Sequence, residues 1–410
     1  MTGQIWEAIQ ANAFSFEKLA EIYPELSALN QIPQDPAYHG EGNVFCHTQM
    51  VCQKLTSLSD WQRLAPGEQS LLFLAAACHD LGKAVCTKQV DGKWISPRHT
   101  VVGAKCFRQK VFRQARQFGL TFSQRELVAG LIRFHGLPVW FWTKSNPAYA
   151  LLQAAENIPL HLLYLLSTAD VTGRITSTTD QLTGQTEFFA DYAKELGVWK
   201  TPFSFANPCT RFRYYQKADL PLNACLYDDT KSDVIMLSGL PLSGKDTWIA
   251  KYGAGRPVIS LDDIRAQLKI PPAKDTGRVV QTAMEQARTY LRKSEPFIWN
   301  ATNIIQETRQ KLVRLFAGYG ARVHLLYVET PYEELLHRNS KRERHIPDTV
   351  LETMIRKLEI PAPWEAWDVS YLDGSTADFS GLCSSPHCFC KKRLFCHKSW
   401  QKSRFKLPLQ

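Results

Sequence analysis

The glycine-rich segment at residues 239–245 is compatible with only a few folds for the half of the chain that contains it. It reads Gly-Leu-Pro-Leu-Ser-Gly-Lys, follows the strand-like residues 234–237 and precedes a helical pattern. In this context glycines let backbone N–H groups surround phosphates at a helix N-terminus, and Lys245 supplies positive charge to the β- and γ-phosphates. The predicted ligand is ATP or another NTP, held by Gly239, Ser243, Gly244 and Lys245.

The position after the lysine departs from the usual phosphate-loop pattern. That position normally carries a Ser or Thr that holds magnesium, whereas this chain has Asp246 there and Thr247 next. Because a carboxylate also binds magnesium, directly or through water, ATP with magnesium remains the prediction, with Asp246 and Thr247 as contacts. A loop that has lost catalysis is the alternative.

The two halves of the chain have different periodicities. Up to about residue 198 the apolar residues repeat with a helical period, which predicts an all-α domain. From Asp233 onward, short β-rich runs alternate with helical patterns, which predicts βαβ units on a parallel sheet. Since 410 residues exceed what one core usually supports, we predict a multidomain protein. The expected parts are an all-α domain at 1–198, a linker at 199–231, an α/β P-loop domain at 232–374 and a basic Cys/His-rich tail at 375–410.

Two further motifs follow the phosphate loop. Residues 262–265 read Asp-Asp-Ile-Arg after the second strand, at the sheet edge where α/β proteins bind ligands. Residues 338–342 read Arg-Asn-Ser-Lys-Arg. Taken in this order, the three motifs resemble the 5′-polynucleotide kinases over about residues 233–373. A solvated basic helix face is the alternative for the third motif.

The resemblance implies a role for each matching residue. Asp262 would accept the proton of the attacking 5′-hydroxyl, and Arg265 would contact phosphate near the reacting centre. Arg338 and Arg342 would close over the ATP phosphates. Residues 300–303, Asn-Ala-Thr-Asn, also resemble the family, which implies that they face the nucleotide or the acceptor. The alternative is that they only form a capping turn before the next helix.

A second set of candidate site residues lies in the helical half. The sequence His-Asp-Leu-Gly-Lys at 79–83 ends a strongly apolar run. The complete series in chain order is His47, His79, Asp80, His99, His135 and Asp170. This order resembles the HD phosphohydrolase superfamily, an all-α fold, although each histidine taken alone would more often be structural.

The HD resemblance implies a ligand set for one or two metals. One metal would be held by His47, His79, Asp80 and Asp170, and Asp80 would bridge to a second metal on His99 and His135. Imidazole and carboxylate ligands suit Mn, Ni, Co, Fe or Zn. Lys83, one helical turn after Asp80, would hold substrate phosphate.

The combination of the two halves resembles bacterial HD-type polynucleotide kinases. The resemblance implies ATP-dependent phosphorylation of 5′-hydroxyl ends of RNA or DNA, and metal-dependent hydrolysis of 2′-phosphate, 3′-phosphate or 2′,3′-cyclic phosphate ends. No ligase motif stands out, so sealing would need a separate ligase. Two alternatives remain: a nucleoside-type kinase fused to a nucleotide phosphohydrolase, and a nucleic-acid-binding regulatory protein with one inactive site.

Charge and cysteine content add weaker indications. Lys plus Arg exceed Asp plus Glu by 49 − 39 = 10, which favours a polyanionic partner. No apolar run approaches the roughly 20 residues that span a bilayer, and eleven cysteines lack disulfide-framework spacing. We therefore expect a soluble cytoplasmic protein without a membrane partner. The cysteines and histidines of the tail suggest either a zinc site or a flexible basic segment. The eleven tryptophans, including Trp140, Trp142, Trp364 and Trp367, suggest either base stacking or, for most of them, packing.

Overall fold

A computed structural model describes residues 3–373, except 12, 217–218, 254, 272–273 and 344. The prediction of a basic Cys/His-rich tail at 375–410 therefore lies outside the described residues. Among the helices described, none is both long enough and apolar enough to cross a membrane.

The first half of the chain is helical, as the periodicity predicts. Its helices are α1 Gln4–Ala11, α2 Phe16–Ile22, α3 Pro24–Ser27, α4 Val44–Ser57, α5 Ser59–Gln62, α6 Pro66–Cys78, α7 Lys83–Cys86, α8 His99–Arg113, α9 Ala115–Phe118, α10 Phe122–Phe134, α11 Leu137–Trp140, α12 Pro147–Ala155, α13 Leu160–Thr172, α14 Thr179–Glu195 and α15 Pro208–Gln216. Two 3₁₀ turns, Ala28–Gln31 and Phe141–Thr143, complete the helical elements.

Two elements of this half differ from the sequence prediction. A short antiparallel hairpin, β1 Lys88–Val90 and β2 Lys93–Ile95, interrupts the helices. The expected irregular linker at 199–231 contains α15, whose Tyr214 and Tyr215 pack into the core of the helical domain. Its N-terminus is capped by Asn207, whose side-chain oxygen accepts a hydrogen bond from the Thr210 N–H at 2.8 Å.

The centre of the helical domain is formed by α4, α6, α10 and α13, which pack against one another. Every residue of α6 from Leu71 to Cys78 is buried, so this helix runs through the core. Its last turn delivers His79 and Asp80 to a site in the interior, where both are at most 1% exposed.

The second half of the chain is built on a five-stranded sheet. Its elements are β3 Ser232–Ser238, α16 Lys245–Tyr252, β4 Val258–Ser260, α17 Leu261–Gln267, α18 Thr276–Arg292, β5 Phe297–Asn300, α19 Gln306–Gly318, β6 Ala321–Glu329, α20 Tyr332–Ser340, α21 Asp348–Lys357 and β7 Asp368–Asp373. The strand order is β4-β5-β3-β6-β7 and all neighbours are parallel. The predicted parallel sheet is confirmed, and β7 is an additional strand that the sequence did not indicate.

The position of β3 at the centre of the sheet explains why its residues 234–237 are all apolar rather than alternately apolar and polar. Val234 and Met236 belong to the core cluster on one face of the sheet, and Ile235 and Leu237 belong to the cluster on the other face. A strand covered on both faces needs apolar residues at every position. The loop that follows β3 is therefore held at the end of a fully buried strand.

The two halves are joined by ion pairs, one of them buried. Arg125 of α10, only 4% exposed, donates to both carboxylate oxygens of Glu329 at 2.8 and 2.9 Å. Arg113, the last residue of α8, donates to Glu352 of α21 at 2.7 Å. His99 begins α8 and His135 directly follows α10, so each of these helices connects the P-loop domain to a predicted metal ligand.

His324 makes the stability of the sheet depend on pH. It lies between β3 and β7, with Nε2 at 3.0 Å from Asp233 and Nδ1 at 3.0 Å from Asp368. Burial opposes the charge, but the hydrogen bonds to these two carboxylates outweigh it and raise the pKa of His324 to about 9. A raised folded-state pKa gives stability that is complete below about pH 6.5 and is lost as pH rises through 9.

We therefore expect the free energy of unfolding to fall by up to about 3 kcal/mol between pH 6.5 and 9.5 through this residue. Urea unfolding at a series of pH values, in wild type and His324→Gln, measures the effect. The variant has no titrating group here and should show a shallower slope. Equal slopes in the two proteins would show that His324 does not carry the dependence.

Candidate metal centre and candidate nucleotide site

The six predicted metal ligands lie together in the helical domain. His47 Nε2 is 3.1 Å from Asp170 Oδ1, and His99 Nε2 is 3.4 Å from His135 Nε2. These residues form three overlapping groups, and within each group the potential ligand atoms lie within 4.8 Å of one another. The groups are His47-His79-Asp80, His79-His135-Asp170 and Asp80-His99-His135. Residues up to 123 positions apart in the sequence are thereby brought to one centre.

The Asp80 carboxylate stands between two pairs of histidines. Its Oδ2 faces His79 Nε2 at 3.2 Å and His47 Nε2 at 3.8 Å. Its Oδ1 faces His99 Nε2 at 3.5 Å and His135 Nε2 at 4.0 Å. One oxygen toward each pair is the arrangement that a carboxylate bridging two cations requires.

Three of the histidines are oriented by backbone carbonyls. The Nδ1 atoms of His79, His99 and His135 lie 2.7 to 2.9 Å from the carbonyl oxygens three residues earlier. Such contacts fix Nδ1 as the protonated nitrogen and leave the Nε2 lone pairs directed into the centre.

The chemistry of these donors fits divalent metal ions. Two Nε2 lone pairs at 3.4 Å, on His99 and His135, repel each other unless a cation or proton lies between them. His79 Nε2 and Asp80 Oδ1 are buried without a hydrogen-bond partner among the described residues, since the 3.2 Å contact of His79 with Asp80 lacks hydrogen-bond geometry. Buried unpaired polar atoms are costly, and metal ligation would satisfy both.

The protonation states of His135 and Asp80 also suit metal binding. Burial, together with His79 and His99, lowers the pKa of His135 to about 3, so this ring is neutral. Burial opposes ionisation of Asp80, but Lys83 and His79 outweigh it and hold the pKa of this carboxyl well below its usual range. Neutral imidazole and ionised carboxylate are the ligand forms.

Several residues around the centre were missed by the sequence reasoning. The buried Glu41 carboxylate has an oxygen 2.9 Å from His47 Nδ1 and 2.8 Å from His39 Nδ1. Arg174 Nη2 lies 2.5 Å from Asp170 Oδ1, and Arg174 follows that ligand by four positions, which is a signal that the sequence did contain. Lys83, the predicted phosphate contact, pairs with Asp80 at 2.8 Å.

The centre opens into a cleft of about 1000 Å³. Asp80, His99, His135 and Asp170 line its floor together with Lys83. Further residues of its walls are Arg133, Lys144, Arg174, Tyr38, Trp94, Trp140 and Trp142. The cleft is therefore large enough for a substrate much bigger than a phosphate group, and its walls are basic and aromatic.

The glycine-rich loop after β3 has the backbone geometry of a phosphate cradle. Gly239 has φ +149°, and a Cβ there would lie 2.3 Å from the Val328 carbonyl oxygen, so only glycine fits. Gly244, at φ +97°, precedes α16 and directs the chain into the helix. Ser243 is 2% exposed, and its carbonyl accepts a hydrogen bond from Thr330 Oγ1 at 2.9 Å.

Lys245 lies inside this loop. Its Nζ donates to the carbonyls of Gly239 at 3.1 Å and Leu240 at 2.8 Å. Burial lowers the pKa of Lys245 to about 8, although Asp246 and Asp262 favour the charged form. Asp246 and Thr247 are exposed at the start of α16, and Asp246 accepts a hydrogen bond from Asn300 at 2.8 Å.

The remaining predicted residues of this half lie on the elements around the loop. Asp262 is exposed in the first turn of α17, which Ser260 caps. Arg338 of α20 donates to the Leu242 carbonyl within the loop at 3.0 Å, whereas Arg342 is exposed. Arg265 instead donates to the carbonyls of Pro271 and Lys274 at 3.1 and 2.9 Å, so its predicted phosphate contact requires it to leave these partners.

Of residues 300–303, some contact the nucleotide site and others support the phosphate loop. Asn300 contacts Asp246 in the nucleotide site. The buried Asn303 side chain donates to the Leu237 carbonyl at 2.6 Å, and the Thr302 carbonyl accepts from the Gly239 N–H at 2.8 Å. The segment therefore supports the loop and also reaches the site.

The pKa of Lys245 predicts proton uptake when ATP binds. Above pH 8 the amine of the free protein is increasingly neutral, and the phosphates of ATP favour its protonated form. We expect up to about one proton per ATP near pH 8.5 and a dissociation constant that rises up to about tenfold per pH unit above 8. Isothermal titration calorimetry in buffers of different ionisation enthalpy measures both the number of protons taken up and the dissociation constant. Lys245→Arg, which does not titrate, is the control, and buffer-independent heats in wild type would contradict the prediction.

A family model and a solved structure show similarity to parts of the chain. A family model described as AAA domain matches residues 234–361. A sugar kinase from a Janibacter species is 21% identical in sequence, covers 35% of this chain and 85% of its own, and has a TM-score of 0.28. The matched residues, the parallel sheet and the glycine-rich loop after β3 together define a P-loop domain. Such a domain implies ATP with magnesium.

Curated relatives match a smaller part of the chain. The Multifunctional CCA protein of Pasteurella multocida is 38% identical over 72 residues, which are 18% of this chain and 16% of that protein. The Multifunctional CCA protein of Xanthomonas campestris pv. campestris is 35% identical over 117 residues, 27% of this chain and 26% of that protein. The chain thus spans at most 26% of the length of these two relatives.

Proposed function

We propose that this protein is a bifunctional enzyme that heals nucleic-acid ends. The P-loop domain phosphorylates 5′-hydroxyl ends of RNA or DNA with ATP, and the helical domain, of the HD type, hydrolyses 2′-phosphate, 3′-phosphate or 2′,3′-cyclic phosphate ends. The observation that carries the proposal is the presence, in one chain, of a phosphate loop and of an Asp80 carboxylate placed between two histidine pairs.

In the helical domain the chain's own residues hold and orient the reacting groups. His47, His79, Asp80 and Asp170 would hold one metal, and Asp80, His99 and His135 would hold a second. When bound, the metals would supply Lewis acidity toward the phosphate and would lower the pKa of bound water. The Glu41 carboxylate lies 2.9 Å from His47 Nδ1, and Lys83 and Arg174 provide positive charge in the cleft.

In the P-loop domain catalysis consists of positioning and charge. Lys245 and Arg338 bind the ATP phosphates, and Arg342 closes over them as well. Asp246, held by Asn300, and Thr247 would contact magnesium, which would neutralise charge on the transferred phosphoryl group. Asp262 accepts the proton of the attacking hydroxyl, while Arg265 binds phosphate beside it.

The two reactions form a coherent pair. Cleavage of RNA through its 2′-hydroxyl leaves a 2′,3′-cyclic phosphate on one side and a 5′-hydroxyl on the other, and neither end can be ligated. Conversion of both ends by one chain prepares them for a separate ligase. The order of the motifs along the sequence, which resembles bacterial HD-type polynucleotide kinases, favours this pairing.

The test uses a short RNA with a 5′-hydroxyl and a 2′,3′-cyclic phosphate, incubated with the full chain, ATP, magnesium and manganese. We expect phosphate to appear at the 5′ end and to disappear from the 3′ end, with apparent affinity falling steeply as salt is added. Turnover of nucleosides and cyclic nucleotides, with both RNA ends left intact, would instead identify a small-molecule kinase fused to a nucleotide phosphohydrolase.

A further inference from the structure

The segment after His135 presents two tryptophans at the surface. Helix α11 ends at Trp140, and the 3₁₀ turn Phe141–Thr143 follows it directly. Trp140 is 53% exposed and Trp142 is 48% exposed, whereas Phe141 between them is 1% exposed. Two large aromatic rings half exposed on one turn need a reason, because such surface is normally buried.

The turn that carries the tryptophans is anchored by Phe141, and the Trp142 ring is held in it by a hydrogen bond. Phe141 packs on Phe188, Phe189 and Tyr192 of α14, with ring centroids 5.3 to 5.7 Å apart. The Trp142 indole N–H donates to the Val139 carbonyl at 3.1 Å, so its only polar group already has a partner. The exposed face of Trp142 is therefore pre-ordered, which reduces the entropy lost when a ligand stacks on it.

Both tryptophans line the cleft that contains the metal centre. Tyr38, which is 58% exposed, and Trp94 line the same cleft, as do the basic residues Arg133 and Lys144. Aromatic rings that accept bases, beside cations that pair with backbone phosphates, are the features by which proteins bind single-stranded nucleic acid. A free phosphate ester without a ring gains nothing from them.

We propose that Trp140 and Trp142 stack on the last nucleobases of a polynucleotide 3′ end, and that Arg133 and Lys144 contact its backbone. The cleft then selects polynucleotide ends over free phosphate esters. This inference rests on the proposed function of the helical domain and specifies the substrate class of that site.

Binding is measured on the full chain with manganese, by fluorescence anisotropy of a short RNA. The RNA ends in a 3′-phosphonate, which resists hydrolysis, and a 5′ fluorophore keeps its other end out of the P-loop site. We expect Trp140→Ala and Trp142→Ala each to raise the dissociation constant about tenfold, and the Phe variants to retain most of the affinity. The exposed Tyr227 lies outside the cleft, so Tyr227→Ala is the control.

A second RNA, with abasic sites at its last two positions, tests the stacking itself. Wild type should bind it as weakly as the double Ala variant binds the normal RNA, and the double variant should not distinguish the two. Turnover of glycerol phosphate, a phosphate ester without a ring, should stay within about twofold of wild type in every variant, since that substrate does not stack on the tryptophans.

Three outcomes decide the matter separately. Unchanged RNA binding by the double variant overturns the stacking proposal. Parallel loss of RNA binding and glycerol phosphate turnover also overturns it, because the tryptophans would then support the fold. Failure of wild type to hydrolyse natural RNA ends refutes the proposed function of the domain, while the anisotropy comparison still decides whether bases stack.

Discussion

Replacing Asp262 with Asn should lower the rate of 5′ phosphorylation by about 10²–10⁴-fold, the usual contribution of a positioned general base. Asp262 lies exposed in the first turn of α17, at the sheet edge that also carries the phosphate loop. The amide cannot accept the proton of the attacking hydroxyl, but it preserves the size of the side chain. ATP affinity should therefore change little while turnover falls, and single-turnover kinetics with a 5′-hydroxyl oligonucleotide measure the loss.

The chain supplies a matched control one residue away. Asp263 occupies the same turn, is also exposed, and donates its backbone N–H to the Ser260 cap. Asp263→Asn removes the same charge, and we expect it to lower the rate by less than about threefold, because surface charges near a site act weakly. Comparable losses in both variants would show that charge in this turn matters and that Asp262 is not the base.

Replacing Asp80 with Asn should lower hydrolysis of 3′-end phosphates by more than about 100-fold, since even residues that only orient metal ligands contribute 10–100-fold. Both Asp80 oxygens face histidine pairs, so an amide cannot serve both sides. The variant should also bind less than the wild-type amount of manganese, measured by calorimetric titration. Its 5′-kinase activity should remain at the wild-type level.

Asp35 provides the comparison for this experiment. It lines the same cleft but belongs to none of the ligand groups among the described residues. Asp35→Asn should retain manganese binding and most of the hydrolysis. If Asp80→Asn binds manganese as wild type does and still hydrolyses RNA ends, the metal assignment is wrong.

The order of chemical groups along the chain was the most predictable part of the molecule. The His-Asp pair ends an apolar run because α6 passes through the core, and the phosphate loop follows β3 because a buried strand must precede it. Both relations are local, so periodicity and motif spacing were sufficient. The roles of the individual site residues remain predictions that the experiments above address.

Contacts between distant segments were not predictable in this way. Glu41 approaches His47 only because the loop before α4 folds back over that helix, and nothing in the spacing indicates the direction of the side chain. Arg265 reaches the carbonyls after α17 because exposed guanidinium groups bind whatever acceptors the loop offers. Such choices depend on tertiary packing rather than on local pattern.

Three missed elements had weak but readable signals. The hairpin β1–β2 turns at Asp91 and Gly92, both with positive φ, and Asp-Gly is a strong signal for such a turn. The Asn207-Pro208 pair marks the start of α15. Strand β7 is an edge strand in which apolar and polar residues alternate only in part, so its six residues gave no clear two-residue period.

The helices α8 and α10 also set how far apart the two candidate sites lie. A helix of fifteen residues such as α8 is about 22 Å long and stiff, and its far end is fixed to α21 by the Arg113–Glu352 pair. Arg125 and Glu329 fix α10 in the same way. Enzymes joined by a flexible tether sample many separations. Here the spacing is built into the helices, so a break in the chain between α15 and β3 would leave the two sites at the same distance.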